Sequence, residues 1–283
     1  MRLARFSFLL LAILGMVAVA GATTSWQWLQ KGDELYNHRA DGANGDQGNI
    51  AQAQNIVQAY RQAMSDVRIE KLVASRLLKA WYFQGCFAYV DQKDRLRIFT
   101  EARNVGAAMV AKYPGDPELS YWYSVHLSLW AKESGPWAAI RSGVADKIRL
   151  VSERALQAKS VSTPQATNPT LAGVYQILGR MNHLLPRIPF ILSWPDKQMA
   201  EFYLRTAVRL DPANPANALF LAEYYRDMGR YSDAERAITP LLNSEPRTVQ
   251  ILEDRRNLWK LRELDVALKP FTEPQRLAMA PVK

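Results

Sequence analysis

The chain of 283 residues has a single cysteine, Cys86, and three histidines. One thiol excludes an intrachain disulfide and any cysteine-based zinc site. His38, His126 and His183 lie far apart, with neither His-x3-His nor His-Glu-x2-His spacing, so no metal centre is expected. G-x4-G-K-[ST], G-x-G-x2-G and G-x-S-x-G are also missing, which removes the phosphate cradles and the serine-nucleophile elbow. No cofactor and no catalytic residues are therefore expected, and the protein is read as a non-enzyme. No segment alternates β-branched with polar residues long enough to make a strand. No apolar run reaches the roughly 20 residues that span a bilayer.

What is present is apolar and basic. Apolar residues make up 48% of the chain and aromatics 10%, too much for a largely disordered protein. Lys and Arg outnumber Asp and Glu by 36 to 27, a formal charge of +9. The basic residues are spread rather than clustered, so nucleic acid is not the expected partner. Arg2 and Arg5 precede an apolar stretch from Phe6 to Ala20, closed by the small residues Ala20, Gly21 and Ala22. This is the pattern of a secretory signal over residues 1–22, either cleaved or retained as an anchor. The chain is therefore expected to be exported, with the periplasm as its expected compartment. With no cysteine at the cleavage site, the chain is not read as a lipoprotein.

Residues 23–268 read as helix after helix, followed by a proline-containing tail over 269–283. Trp137, Ile140, Val144, Ile148, Val151 and Ala155 fall at spacings of three and four, one apolar stripe. Asp116-Pro117, Asn168-Pro169 and Asn214-Pro215 each set a capping side chain before a proline suited to the first helical position. The three prolines are 52 and 46 residues apart, a recurrence that suggests repeated helical hairpins. The last unit identifies the repeat. Leu221, Ala222, Tyr225, Ala234, Ile238 and Pro246 follow the tetratricopeptide pattern, and Pro212 to Pro246 is 34 residues. Single hairpins cannot bury their own faces, so the expected fold is an all-α, tetratricopeptide-like solenoid forming one domain. Gly85 is expected to end one helix, and a helix near 247–266 to cap the stack.

Several stretches resemble a more specific family. They are Lys31-Gly32-Asp33-x2-Tyr36-x2-Arg39-Ala40-Asp41, then Tyr121-Trp122 with Ala131 to Pro136, then Leu185-Pro186 to Trp194-Pro195-Asp196-Lys197, and Ala207 to Asn217 (AVRLDPANPAN). Their order resembles the T component associated with tripartite ATP-independent periplasmic (TRAP) transporters, over about residues 26 to 245. The resemblance implies an accessory protein that trimerises and docks the transporter's solute-binding protein. It also implies a cavity or pore for an apolar or organic-anion solute. A general scaffold for envelope protein assembly is the alternative.

Counting outward from the seam positions, the first helices of the hairpins present Arg76, Lys79, Tyr82 and Phe83 to the concave groove. Gln176, Arg180 and His183 follow from a later unit, with Glu223 and Arg226 from the last. Arginines converging there suit an acidic partner or a carboxylate. The long connection Leu184 to Pro195 is the most unusual segment. Ile188, Phe190, Ile191, Leu192 and Trp194 give it an apolar content that needs cover, as a cavity lid or an oligomer contact. The remaining aromatics, and Cys86, are read as core.

Overall fold

A computed structural model describes residues 24–159 and 167–279. The signal read over residues 1–22 lies outside the described residues, as does the end of the tail, residues 280–283. Twelve α-helices occur among the described residues. They are α1 (24–37), α2 (Ile50–Ala63), α3 (Glu70–Phe83), α4 (Gln92–Lys112), α5 (Pro117–Ser134), α6 (Pro136–Arg141), α7 (Val144–Lys159), α8 (Pro169–Leu184), α9 (Lys197–Leu210), α10 (Pro215–Asp227), α11 (Tyr231–Ile238) and α12 (Ile251–Met279). Consecutive helices pair as antiparallel hairpins, α3 with α4, α5 with α7, α8 with α9 and α10 with α11. Ahead of them, α1 and α2 meet through Asp33 and Tyr60. The first helix of each hairpin packs on the first helix of the next, α3 on α5, α5 on α8 and α8 on α10. The product is an all-α, tetratricopeptide-like solenoid.

The capping signals act as their chemistry dictates. The Asp116 carboxylate accepts the backbone N–H groups of Glu118 and Leu119 at 3.1 Å, Asn168 accepts that of Leu171 at 3.0 Å, and Asn214 that of Ala216 at 3.1 Å. Each is followed by proline at the helix start. Replacing the cap leaves an orphan N–H, so Asp116→Ala should cost about 1 kcal/mol of unfolding free energy in a urea titration. A change of only a few tenths would show that the cap is idle.

The seam is filled as the repeat pattern requires. Leu221, Ala222, Tyr225, Ala234 and Ile238 are buried together in the C-terminal core. Gly179 lets α8 approach α9 closely, since a Cβ there would stand 2.6 Å from Leu204 Cγ. A buried amide network ties consecutive hairpins. Gln176 Nε2 donates to Asn217 Oδ1 at 2.6 Å, and Asn217 Nδ2 donates to the carbonyls of Ala207 and Asp211.

Three expectations are corrected. The stripe from Trp137 to Ala155 is not one helix. Gly143 adopts a left-handed φ of 59°, which ends α6 and restarts the chain as α7. Val144, Ile148 and Ala155 are buried, but Trp137 and Ile140 are turned out to solvent. Gly85 does not end α3. The chain continues through a π-helical turn, Gln84–Ala88, with Gly85 buried against Phe99. The C-terminal helix runs on through Pro270 and Pro274 to Met279, well into the segment read as a tail. Leu268 and Thr272 are buried, and Phe271 stacks on Tyr231 at 4.2 Å, which anchors this extension on α11.

The start of α12 reaches the opposite end of the solenoid. Arg39, only 1% exposed, donates to the Val249 carbonyl and to the Glu253 carboxylate, both at 2.8 Å. Arg256 pairs with Asp46, donates to the Cys86 carbonyl at 3.0 Å and lies over the Phe87 ring at 3.9 Å. Leu252 joins the N-terminal core, whereas Leu258, Leu261, Leu264 and Leu268 join the C-terminal one. One helix therefore clasps the first hairpins to the last.

Candidate functional site

The groove residues separate into two groups. In the N-terminal group, Arg76 on α3 lies 3.3 Å from Asp33 of α1 and 3.9 Å from Glu118 of α5. Lys79, one turn on, sets its ammonium 4.9 Å from the centre of the Tyr36 ring, which Arg39 also covers at 4.2 Å. Burial, and then the Arg39 guanidinium, push the Lys79 ammonium below the ordinary lysine range. Tyr82 packs between Trp122 and Phe87, with ring centroids 5.5 and 5.8 Å away. Burial raises the Tyr82 phenol well above its usual value, so it stays protonated.

In the C-terminal group, Arg180 of α8 pairs with Glu223 of α10 at 2.5 Å and lies 4.1 Å over the Phe220 ring. His183 meets Asp227 at 3.0 Å, and Arg226 holds the same carboxylate at 2.8 Å. His183 is buried rather than displayed, and burial lowers its affinity for a proton. Two further groove candidates are also turned inward. Phe83 is in the N-terminal core and Gln176 is in the amide network.

Taken together, α1, α3, α5, α8 and α10 carry a row of acid–base pairs along the first-helix side of the solenoid. Most of the paired side chains are half-exposed. Each predicted arginine already holds a carboxylate of this chain, so no free cationic pocket for a solute is present at Arg76, Arg180 or Arg226. The part-exposed pairs of Arg76 and Arg226 contribute only about 0–1 kcal/mol each, so an incoming charged segment can exchange with them at little cost. Arg180–Glu223 is more enclosed and is held more firmly.

Sequence reasoning missed Asp33, Glu118 and Asp227 as the partners of these bases. Their signal was present only as acids on the same group of helices, without a period linking them to the arginines.

The connection between α8 and α9 leaves its apolar tip exposed. The backbone groups of Ile188 and Leu192 exchange two hydrogen bonds of 2.8 Å, forming a tight knuckle with Pro189, Phe190 and Ile191 at its tip. Trp194 fastens its base, donating its indole N–H to Asp146 of α7 at 3.0 Å beneath Arg149. Ile188, Leu192 and Trp194 are half-buried, and Phe190 and Ile191 are exposed.

No group of three or more His, Cys, Asp or Glu side chains converges among the described residues as a metal site would. Burial drives the Cys86 thiol up to about 12, so it is held as the protonated thiol at neutral pH. No described helix is long and apolar enough to cross a membrane.

In comparisons with known proteins, no family model matches the chain, and no curated protein matches it by sequence. The fold is similar to the crystal structure of a thermophilic TPR protein from Thermus thermophilus. The two share a TM-score of 0.54 and 16% identity over 83% of this chain and 98% of that one. The likeness supports the tetratricopeptide-like fold, and at this identity it speaks for the fold alone. Such solenoids present extended surfaces suited to protein–protein interaction.

Proposed function

We propose that the protein is a non-catalytic docking scaffold of the periplasm that receives a charged partner protein on the first-helix side of its solenoid. The observation that carries this reading is the row of ion pairs, part-exposed at Asp33–Arg76–Glu118 and Arg226–Asp227 and more enclosed at Arg180–Glu223. Charges arranged this way steer encounter and fix register more than they add raw affinity. A partner carrying its own acids and bases can replace these internal pairs one for one.

Within that reading, the finer role is an accessory of a TRAP-type transporter that docks the solute-binding protein. Its support is the sequence resemblance, whose motifs also build the scaffold. Asp33 accepts the Tyr60 hydroxyl, Glu133 holds Arg95, and Asp196 caps α9. An anionic solute would have to displace an internal carboxylate, so protein docking is the better-supported half of the role. Self-association to a trimer belongs to the same proposal.

Calorimetric titration of the protein with a purified TRAP solute-binding protein from its own organism tests the role. Saturable binding is expected, weakened roughly tenfold by Arg180→Ala combined with Arg226→Ala. Absence of binding would leave the general envelope scaffold as the reading. Light scattering on the eluting protein should report a trimer, and a strict monomer at high concentration removes the oligomer.

A further inference from the structure

The turns from the first to the second helix of each hairpin share one edge of a solenoid, and two neighbouring turns of that edge are apolar here. Phe190 is 105% exposed and Ile191 65%, with Leu184 exposed beside them. The neighbouring turn adds Trp137, 76% exposed, and Ile140, both on α6. The two turns are adjacent in space, because Trp194 of the knuckle bonds to Asp146 in the first turn of α7.

The tip has an unusual backbone. Phe190 has φ of 66°, a left-handed conformation that a three-residue hairpin tip ordinarily gives to glycine. A bulky aromatic stands fully in water at a position where its backbone is also disfavoured. Nothing among the described residues accounts for that cost.

The surroundings of the tip are basic. Arg187 lies next to it, Arg141 ends α6, and Lys197 begins α9. Among the described residues none of these three is ion-paired to a carboxylate, in contrast to the arginines of the inner face. Lys197 spends one donor on the His183 carbonyl and keeps the others. A cleft of about 490 Å³ opens at the knuckle's base, lined by Leu184, Leu185, Pro186, Arg187, Lys197 and Asp196, whose carboxylate is engaged in capping α9.

We infer that this edge is a membrane-docking surface, in which Phe190 and Ile191 enter the interfacial region of an anionic phospholipid bilayer while Arg187 and Lys197 meet headgroup phosphates at the cleft. A protruding aromatic and aliphatic tip with a collar of unpaired cations matches the layered chemistry of that interface. Apolar groups lie at the acyl boundary and cations at the phosphates. A protein partner would instead be expected to meet a flatter patch than this protruding tip. The inference is independent of the ion-pair row, so either can fail alone.

A fluorophore at the tip tests it in the full chain, where the N-terminal apolar segment is common to every variant. Ser193→Cys, made together with Cys86→Ser because Cys86 is only half-buried, leaves a single thiol, beside the tip, for the label. Vesicles of phosphatidylglycerol and phosphatidylethanolamine should shift the emission of a nitrobenzoxadiazole label to the blue, and phosphatidylcholine vesicles should do so far less. Phe190→Asp with Ile191→Asp should raise the lipid concentration needed for that shift about a hundredfold, with the helical circular dichroism unchanged. Arg187→Glu should raise it less and mainly at low salt. No shift with any vesicle, or a shift indifferent to the aspartates, overturns the inference. A shift that follows protein concentration without lipid also overturns it, because a second copy then covers the tip.

Discussion

Arg39→Ala is expected to lower the unfolding free energy by about 3–5 kcal/mol, the usual result of removing one partner from a buried pair. The arginine is almost wholly enclosed, and its guanidinium serves the Glu253 carboxylate, the Val249 carbonyl and the Tyr36 carbonyl. Alanine leaves Glu253 with little water and no countercharge, removes the cation above the Tyr36 ring, and opens a cavity beneath α12. For a domain of this size the fall in Tm is roughly 10 °C. Two apolar replacements at once, Arg39→Met with Glu253→Leu, should recover much of the loss, because no unpaired charge is then left buried. A loss below about 1 kcal/mol for Arg39→Ala would mean that α12 is not held to the first hairpin by this pair.

Acid should weaken the fold through His126. Its imidazole is fully buried in α5, donating from Nε2 to the Leu78 carbonyl at 2.8 Å, and Nδ1 has no partner. Burial lowers its pKa from 6.5 to about 4, against a small opposing effect of the Leu78 bond. The sign follows from which state binds the proton. Below pH 6.5 the unfolded chain protonates this histidine while the folded chain does not until near pH 4. Stability therefore declines as pH falls through that window, by roughly 3 kcal/mol in all. His126→Gln keeps an amide donor for Leu78 and has no proton to gain. Urea titrations at several pH values should show the wild type losing about that much more than the variant, after the shared carboxylate effects cancel. Parallel profiles would contradict the assignment.

What the sequence revealed, and what it hid, divides by range. The caps at Asp116, Asn168 and Asn214 were legible because each acts on the next two or three residues. The seam of the last repeat was legible because tetratricopeptide spacing encodes helix-on-helix contact within a single repeat. The bridge from Arg39 to Glu253 joins positions 214 residues apart, and no local period announces such a pair.

Other misreadings have equally local causes. Gly143 interrupted a stripe whose spacing alone looked continuous. The prolines at 270 and 274 suggested an end, yet burial of Leu268 and Thr272 on the last hairpin sustains the helix. At the site, counting from the seam placed Arg76, Arg180 and Arg226 on the first-helix side but did not reveal that each has an internal acid. It also put His183 in the groove, where packing against Tyr224, with ring centroids 5.4 Å apart, buries it instead.

The proposed docking by exchange of ion pairs along the first-helix side is tested most directly by the affinity for a purified TRAP solute-binding protein as salt is raised. Affinity should weaken progressively with salt, and the dependence should be shallower for Arg180→Ala combined with Arg226→Ala. Binding that is indifferent to salt and to both substitutions would contradict it.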